Sequence, residues 1–231
     1  MVEKKYLSIV SHYEACLEQY GDSHLGVDWP RAEDVQKRYR VMLEVIRPQS
    51  SRQRVSLLDF GCGAAHLNEY IREQELDHIE YAGLDLSEKF VRLSQSKFPG
   101  DKFFSLDLLE EHAVLPVFDY IVLNGVFTEK RELSFDEMLA YFKQLLRRVF
   151  AYAAVGIAFN VMTKHVDWER DDLFHLPFDT LAEFLKNELS RNFVFRNDYG
   201  LYEYTTYVYH DHGALPQDSE SVLGSGQCRE P

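Results

Sequence analysis

The stretch that decides the fold spans residues 57–65 and reads LLDFGCGAA. An apolar run at residues 55–60 predicts a buried strand, and a helical pattern begins at about Ala64. Gly61 and Gly63 stand between them, where glycine lets the backbone turn sharply and approach a ligand without a Cβ in the way. The stretch therefore predicts a strand, a tight turn and a helix, with a ligand at the turn. A tight connection that binds nothing is the alternative.

Strand and helix patterns alternate after this turn. Further strands are predicted at 81–85, 102–105, 118–123 and 153–160, with helices at 64–73, 87–97 and 134–152. This alternation predicts an α/β fold, an open and mostly parallel sheet with helices on both faces.

The two ends of the chain depart from the alternation. The apolar spacing in residues 1–50 predicts two helices. We expect them to form a helical lid on the domain formed by residues 51–210. Strands at 193–197 and 203–209, joined by the short connection DYGLY, predict an antiparallel hairpin. Residues 211–231 are poor in apolar side chains and rich in Gly, Ser and Pro, which predicts a disordered tail.

Charge and cysteine content exclude several classes of protein. The 231 residues carry 25 Lys and Arg against 38 Asp and Glu, a net charge of −13, and no basic run exceeds two residues. Such a chain repels phosphate backbones, so neither nucleic acid nor a membrane is a predicted partner. No apolar run approaches the ~20 residues of a spanning helix, and a cytoplasmic location is predicted. The three cysteines, Cys16, Cys62 and Cys228, predict reduced thiols without a zinc motif.

Acidic residues near the turn indicate the kind of ligand. His66 replaces the third glycine of a dinucleotide fingerprint, and no triphosphate-binding loop is present. Asp59 lies two residues before Gly61, where a carboxylate would repel a pyrophosphate but suits a cationic amino group. Asp85 ends the next predicted strand 22 residues after Gly63, close to the usual position of an acid that binds ribose hydroxyls. Capping of the following helix is the alternative for Asp85, although Ser87 is better placed for that role.

Two further strand ends carry polar residues. Asp107 follows the third predicted strand and could accept a hydrogen bond from the exocyclic amine of adenine, with an exposed strand-end aspartate as the alternative. Asn124 and Gly125 leave the fourth strand at the carboxyl edge, where open α/β sheets bind their ligands.

Together these segments resemble the class I S-adenosylmethionine-dependent methyltransferases over about residues 50–210. LLDFGCGAA is similar to their first motif, Asp85 to their ribose acid, SLDLLE to their adenine motif and FDYIVLNGVF to the strand before the active-site loop. The resemblance implies a Rossmann-like sheet of seven strands that ends in the antiparallel hairpin, and S-adenosyl-L-methionine as cofactor. The residues it implies for cofactor binding are Asp59, Gly61, Cys62, Gly63, Asp85, Leu86, Asp107, Leu108, Asn124 and Gly125.

The segment after the fifth strand, NVMTKHVDWERDDLFH, holds the candidate catalytic residues. His165 is the preferred general base, Asp167 is its partner or substitute, and Trp168 is a wall of the acceptor pocket. A divalent cation held by His165, Asp167, Asp171, Asp172 and His175 is one alternative, and a solvated acidic loop is another; no metal is predicted. Trp29, Phe127 and Thr128 are predicted to complete the substrate pocket, and Arg31 or Arg38 to meet a carboxylate or an anionic substrate.

The resulting hypothesis is a methyltransferase that acts on a hydroxyl, or on an amine or carboxylate, of a small polar metabolite. More narrowly, GDSHLGVDWP, LNGVFTEK and EYTTYVY resemble segments of small bacterial methyltransferases of saccharide and secondary-metabolite pathways. A protein methyltransferase and a non-catalytic, cofactor-binding partner subunit are the alternatives. A monomer or a homodimer is expected.

Overall fold

A computed structural model describes residues 4–48 and 54–211. Two helices, α1 (Leu7–Tyr20) and α2 (Ala32–Leu43), precede a sheet whose strands are β1 (Val55–Phe60), β2 (Ile79–Asp85), β3 (Lys102–Ser105), β4 (Phe118–Phe127), β5 (Ala153–Met162), β6 (Asn192–Arg196) and β7 (Glu203–Tyr209). Helices α3 (His66–Glu73), α4 (Glu88–Lys97), α5 (Phe135–Phe150) and α6 (Phe178–Glu188) connect the strands.

The sheet has seven strands in the order β3-β2-β1-β4-β5-β7-β6. Strands β1 to β5 pair in parallel, whereas β7 pairs antiparallel with both β5 and β6. The predicted α/β fold and its C-terminal hairpin are confirmed. Because strand order reverses between β1 and β4, the carboxyl ends of these two strands border a crevice, the usual ligand site of such sheets.

Alternate residues of β1 supply two cores, one on each face of the sheet. Leu58 packs in a core with α5 and α6, which contribute Phe142 and Phe184. Leu57 packs on the other face with α2 and α3, which contribute Tyr39 and Leu67. Because side chains alternate along a strand, a short apolar run of this kind buries both faces.

Local signals account for two of the helix starts. Ser134 and Glu137 form the predicted capping box of α5, in which each side chain binds the other residue's backbone amide. The Ser87 side chain accepts a hydrogen bond from the Phe90 amide at the start of α4, so Ser87 is the cap of this helix.

Several predicted boundaries were wrong by a few residues. The largest difference is in β4, which continues to Phe127 instead of ending at Leu123. A shift in the β4–β5 register lies between Leu123 and Phe127, so the predicted exit at Asn124 and Gly125 is an irregularity inside the strand.

Both N-terminal helices pack on the sheet domain. Tyr6, at the start of α1, joins the core of one face, and Tyr39 of α2 joins the core of the other. Movement of this segment as a lid stays a prediction. The predicted disordered tail lies outside the described residues except for Asp211. No helix within residues 4–48 and 54–211 is long and apolar enough to cross a membrane.

Candidate active site

A cavity opens at the carboxyl ends of β1, β2 and β4. Three segments converge on it: the glycine turn after β1, the end of β2 and the irregular part of β4. Helix α1 and the following loop contribute aromatic side chains. The residues that line this first cavity include Tyr6, Tyr13, Trp29, Tyr39, Asp59, Gly61, Cys62, Gly63, His66, Asp85, Leu86, Ser87, Asn124, Gly125 and Tyr141.

Gly61 is required by the close approach of β4. Its φ of +74° lies in the left-handed region, and a Cβ at this position would stand 2.6 Å from Cγ2 of Val126. Its amide donates to the carbonyl of Leu84 at 2.7 Å, which fastens the turn to the end of β2. Any side chain here would be strained by the left-handed backbone and would clash with Val126 unless the valine shifted.

Asp85 is oriented by two backbone amides. Its Oδ2 accepts from the Gly63 amide and its Oδ1 from the Ser87 amide, each at 2.9 Å. Burial raises the pKa of Asp85 to about 6, and these two hydrogen bonds oppose the rise. Each carboxylate oxygen keeps a second lone pair with which to accept from a ligand.

Asp59 is more deeply buried, with 3% of its surface exposed. Burial raises the pKa of its carboxyl to about 7, the hydroxyl of Tyr81 opposes the rise by donating to Oδ2 at 2.9 Å, and the charge of Asp85 adds to it. Two neighbouring carboxyl groups with raised pKa values make the cavity a site for a cation or for hydrogen-bond donors.

A polar network supports the β4 side of the cavity. The amide of Gly125 donates to Oδ1 of Asn160 at 2.7 Å, and Nδ2 of Asn160 donates to Glu203 at 3.0 Å. Nε of Arg38 on α2 lies 3.0 and 2.9 Å from the two oxygens of Glu203. The sequence analysis did not predict a role for Asn160 or Glu203. The signal that could have indicated one is a polar residue within an otherwise apolar or aromatic strand. The network ties β4, β5, β7 and α2 together behind the cavity.

A second cavity adjoins the first and shares Trp29 and Gly125 with it. Loops after β4 and β5, the start of α2 and the start of β7 form its walls. The side chains with polar or aromatic groups on these walls are Asp28, Trp29, Arg31, Asp34, Lys37, Arg38, Thr128, Glu129, Asn160, Asp167, Trp168, Arg170, His175, Tyr202 and Glu203.

Glu129 is a buried acid of the second cavity, and the pKa of its carboxyl is raised. The residue is 7% exposed, and burial raises the pKa of its carboxyl, opposed by Arg131 at 3.3 Å. His175 is also buried, but Nδ1 donates to the carbonyl of Thr163 at 2.7 Å while Nε2 accepts from the Arg170 amide at 3.3 Å. Both ring nitrogens of His175 are therefore engaged, whereas Glu129 can still accept a proton.

Comparison with known proteins identifies the domain around the first cavity. Residues 58–149 match the family model described as a methyltransferase domain. Rv1506c of Mycobacterium tuberculosis, a protein provisionally assigned as a methyltransferase, is 29% identical over 155 residues, covering 66% of this chain and 92% of that protein. The chain thus contains a methyltransferase domain that resembles those of the class I S-adenosylmethionine-dependent methyltransferases.

Solved methyltransferases share the fold at low sequence identity. The magnesium protoporphyrin IX methyltransferase of Synechocystis, solved with bound S-adenosylmethionine, is 15% identical; the match covers 91% of this chain and 99% of that chain, with a TM-score of 0.60. Human N-acetylserotonin methyltransferase is 13% identical over 88% of this chain and 66% of that one, with a TM-score of 0.54. These neighbours show the fold of the methyltransferase, and their acceptors differ widely.

The first cavity fits the cofactor of a class I methyltransferase. S-adenosylmethionine offers a sulfonium, an ammonium, a carboxylate and hydroxyl groups, and it has no phosphate. The wall offers the carboxylates of Asp59 and Asp85, and among the described residues no Lys or Arg lines it. Oδ1 of Asn124 is buried without a hydrogen-bond partner in the described part of the chain, so it is free to accept from a ligand.

Most of the predicted cofactor residues of the methyltransferase line the first cavity, and Asp107 and Leu108 do not. Oδ2 of Asp107 accepts a hydrogen bond from the hydroxyl of Tyr6 at 2.6 Å, and Oδ1 accepts one from the Leu109 amide at 3.0 Å. The ring of Tyr6 stacks on Tyr141 with 4.8 Å between centroids and lines the cavity. The residue that precedes α1 thus donates to the carboxylate predicted to bind adenine, and Tyr6 stands between this carboxylate and the cavity.

The predicted acceptor-side residues divide in the same way. Trp29, Thr128, Asp167 and Trp168 line the second cavity. His165 is exposed and stacks on Phe178 at 5.3 Å, and Phe127 is fully buried against Phe142. Neither lines either cavity. Of the alternative cation ligands, Asp172 is bound by Arg170 through both oxygens at 3.0 and 2.5 Å.

Proposed function

We propose that this methyltransferase methylates a hydroxyl group of a small polar metabolite, a sugar or a natural-product intermediate. The observation that carries the proposal is the junction of the two cavities at Trp29 and Gly125. A donor in the first cavity and an acceptor in the second would meet at this junction, as a direct transfer between them requires.

The chain contributes mainly positioning on the donor side. When bound, S-adenosylmethionine supplies a methyl group that is electrophilic because it is attached to a sulfonium. We assign Asp85 to the ribose hydroxyls, and Asp59 and Asn124 to the ammonium of the amino-acid part. The Asn160 hydrogen bond to Gly125 keeps the irregular part of β4 at the junction, so the acceptor can approach along a fixed direction.

The charge of the second cavity favours a neutral acceptor. Every basic side chain on its wall is bound to a carboxylate: Arg31 to Glu33 at 2.6 Å, Lys37 to Asp34 at 3.4 Å, Arg38 to Glu203 at 2.9 Å and Arg170 to Asp172 at 2.5 Å. A phosphate or carboxylate substrate would have to break such a pair. The expectation that Arg31 or Arg38 meets an anionic substrate therefore finds no support in these contacts.

Two aromatic side chains at the second cavity support a ring-shaped acceptor. Trp168 is 75% exposed and Tyr202 is 69% exposed, although both line the cavity wall. Exposed aromatic rings beside a cavity mark a binding surface, because their apolar area stays in water until a ligand covers it. The faces of a sugar or of an aromatic natural product are flat enough to cover these rings.

We assign the role of general base to Glu129. A hydroxyl acceptor must lose its proton as the methyl group arrives, and a carboxylate with a raised pKa is a stronger base than an exposed one. Glu129 lies two residues after the end of β4 and lines the second cavity. Asp167 also lines this cavity and stays the alternative, whereas exposed His165 does not line it.

The direct test is an assay that follows conversion of S-adenosylmethionine to S-adenosylhomocysteine with a panel of acceptors. The panel contains neutral sugars, nucleotide sugars, phenolic natural products and peptides. We expect turnover with a neutral sugar or phenolic hydroxyl and no turnover with peptides. Turnover with peptides would support the protein methyltransferase alternative and contradict the proposed acceptor class.

The matched pair Glu129→Gln and Glu132→Gln tests the base. Glu132 is exposed and lies three residues further along the same loop. Glu129→Gln should retain cofactor binding and lose on the order of 100-fold or more in kcat, whereas Glu132→Gln should behave like the natural protein. Cofactor binding without turnover on any acceptor class would favour the non-catalytic partner subunit.

A further inference from the structure

Three side chains of metal-binding type meet at the junction between α1 and the loop that follows it. His12 and Cys16 are one turn apart on the same face of α1, and Asp28 comes from the loop of residues 21–31. One ligand atom from each of the three lies within 4.8 Å of the others. The sequence did not predict this cluster, because Asp28 is brought to the helix only by the fold of the loop.

The distances within the cluster suit a small cation. Nε2 of His12 lies 3.7 Å from Sγ of Cys16 and 2.7 Å from Oδ2 of Asp28. Around a tetrahedral zinc ion, bond lengths of about 2.0–2.3 Å put neighbouring N, O and S ligands roughly 3.3–3.6 Å apart. The His12–Cys16 pair already has nearly this separation. The Asp28 carboxylate lies somewhat too close to His12 and within 4.8 Å of Cys16, so a small rotation of this side chain would complete the set.

The loop holds Asp28 in a fixed and unusual conformation. The φ of Asp28 is +57°, in the left-handed region that few residues other than glycine adopt. Its amide donates to the carbonyl of Leu25 at 3.0 Å, and the next amide, that of Trp29, donates to the carbonyl of His24 at 2.8 Å. The carboxylate is therefore presented to α1 by backbone contacts as well as by its hydrogen bond to His12.

The surroundings of the cluster are predominantly negative. Cys16 is buried, with 8% of its surface exposed, and the charged groups that act on it are Asp28, Glu129 and Arg131. A divalent cation would offset two carboxylates and allow the thiol to coordinate as a thiolate.

We propose that His12, Cys16 and Asp28 form a zinc site that fastens α1 to the loop covering the two cavities. The donor set of one imidazole, one thiolate and one carboxylate suits zinc and disfavours Mg²⁺ and Ca²⁺, which bind through oxygen. Three protein ligands leave the fourth position of the ion to water. Since Asp28 and the adjacent Trp29 line the second cavity, the ion would fix the loop against the acceptor side.

Calorimetric titration of the metal-free full-length protein with ZnCl₂ tests this proposal, and no readout depends on methyl transfer. We expect saturable, equimolar binding in the sub-micromolar range. His12→Ala, Cys16→Ala and Asp28→Asn should each weaken it more than about 10-fold. The controls His78→Ala, at an exposed site, and Cys62→Ala, at a buried thiol outside the cluster, should bind zinc normally.

Two further measurements separate loss of a ligand from loss of folding. Zinc should raise the Tm of the natural protein but not that of the Asp28→Asn variant. Asparagine tolerates the left-handed conformation and can still form a neutral hydrogen bond with His12, so this variant should fold. Cobalt(II) should give a thiolate charge-transfer band that Cys16→Ser abolishes. Zinc affinity unchanged in all three ligand variants, or no saturable binding in the micromolar range, would overturn the proposal.

Discussion

The side-chain Oδ1 of Asn160 accepts a hydrogen bond from the amide of Gly125, with 2.7 Å between the two atoms. Asn160 is fully buried and lies on β5, and Gly125 has a φ of +85° in the irregular part of β4. The Asn160 side chain thus satisfies an amide that the disturbed β4–β5 pairing leaves free. Through Glu203 and Arg38 the same side chain connects the junction of the two cavities to α2.

Asn160→Ala should therefore destabilise the protein and slow catalysis together. The substitution leaves the buried Gly125 amide without its acceptor, which costs about 1–3 kcal/mol in the free energy of unfolding. Urea denaturation measures this cost, and the methyl-transfer assay measures kcat. Asn192→Ala is the control, because the exposed Asn192 side chain donates only to Asp211 among the described residues. Equal stability of the two variants would contradict the role assigned to Asn160.

Binding of S-adenosylmethionine should strengthen as the pH rises from about 5.5 to 7.5. Burial raises the pKa of Asp59 to about 7 and that of Asp85 to about 6, so both are largely protonated at the acid end. A cationic ligand favours the ionised carboxylates, so binding below these pKa values must release protons.

Calorimetry in buffers of different ionisation enthalpy measures this release directly. At pH 6 we expect release of a substantial fraction of a proton, falling towards zero at pH 7.5 and above. Asp59→Asn should remove the proton release that is seen near pH 7 and keep the proton release near pH 6, which comes from Asp85. A dissociation constant that does not change over this range would show that these carboxylates do not face the cationic part of the ligand.

The sequence predicted which segments meet at the edge of the sheet, since strand order and the glycine turn fix that arrangement. Apolar runs fixed the strands, and the pair Ser134 and Glu137 fixed the start of α5. These features depend on neighbours in sequence, where propensity and spacing carry the information.

Side-chain placement in the loops could not be predicted in this way. His165 was an attractive base from its position, yet its ring lies on Phe178, a residue of α6 that the sequence could not place beside it. Asn160, Glu203 and Arg38 come from three distant segments, and their contact depends on the register of β5 with β7. The contact between Tyr6 and Asp107 likewise depends on how α1 docks, which no local pattern encodes.

Asp59→Asn should stabilise the ligand-free protein at pH 8. The folded-state pKa of about 7 exceeds the ordinary aspartate pKa of 3.8, so the unfolded chain ionises first as the pH rises. The contribution of Asp59 to stability therefore falls between pH 4 and 7 and is lowest above pH 7. Asparagine keeps the acceptor for Tyr81 and removes the buried charge.

The expected gain at pH 8 is on the order of 1–3 kcal/mol, or roughly 2–4 °C in Tm for each kcal/mol. At pH 4.5 the difference should be much smaller, because the carboxyl of the natural protein is then protonated in the folded state and the pH is close to the ordinary pKa of the unfolded chain. Thermal unfolding of both proteins at the two pH values measures this, with the exposed Asp77→Asn as control. A variant that is less stable at pH 8 would mean that the ionised carboxylate has a favourable partner in the folded state.

Tyr6→Phe should increase the rate and affinity of cofactor binding. The hydroxyl of Tyr6 donates to Oδ2 of Asp107 at 2.6 Å, so it uses one acceptor position of the carboxylate that is predicted to accept from the adenine amine. Phenylalanine removes the competing donor and keeps the stack on Tyr141. Loss of a hydrogen bond to a charged group corresponds to about 1.5–3 kcal/mol at most, and part of this should appear as a several-fold gain in affinity.

Stopped-flow fluorescence follows binding through Trp29, which lines the cavity. Tyr20→Phe, at the exposed end of α1, is the control; weaker binding by Tyr6→Phe alone would instead make the Tyr6 hydroxyl a contact of the bound nucleoside.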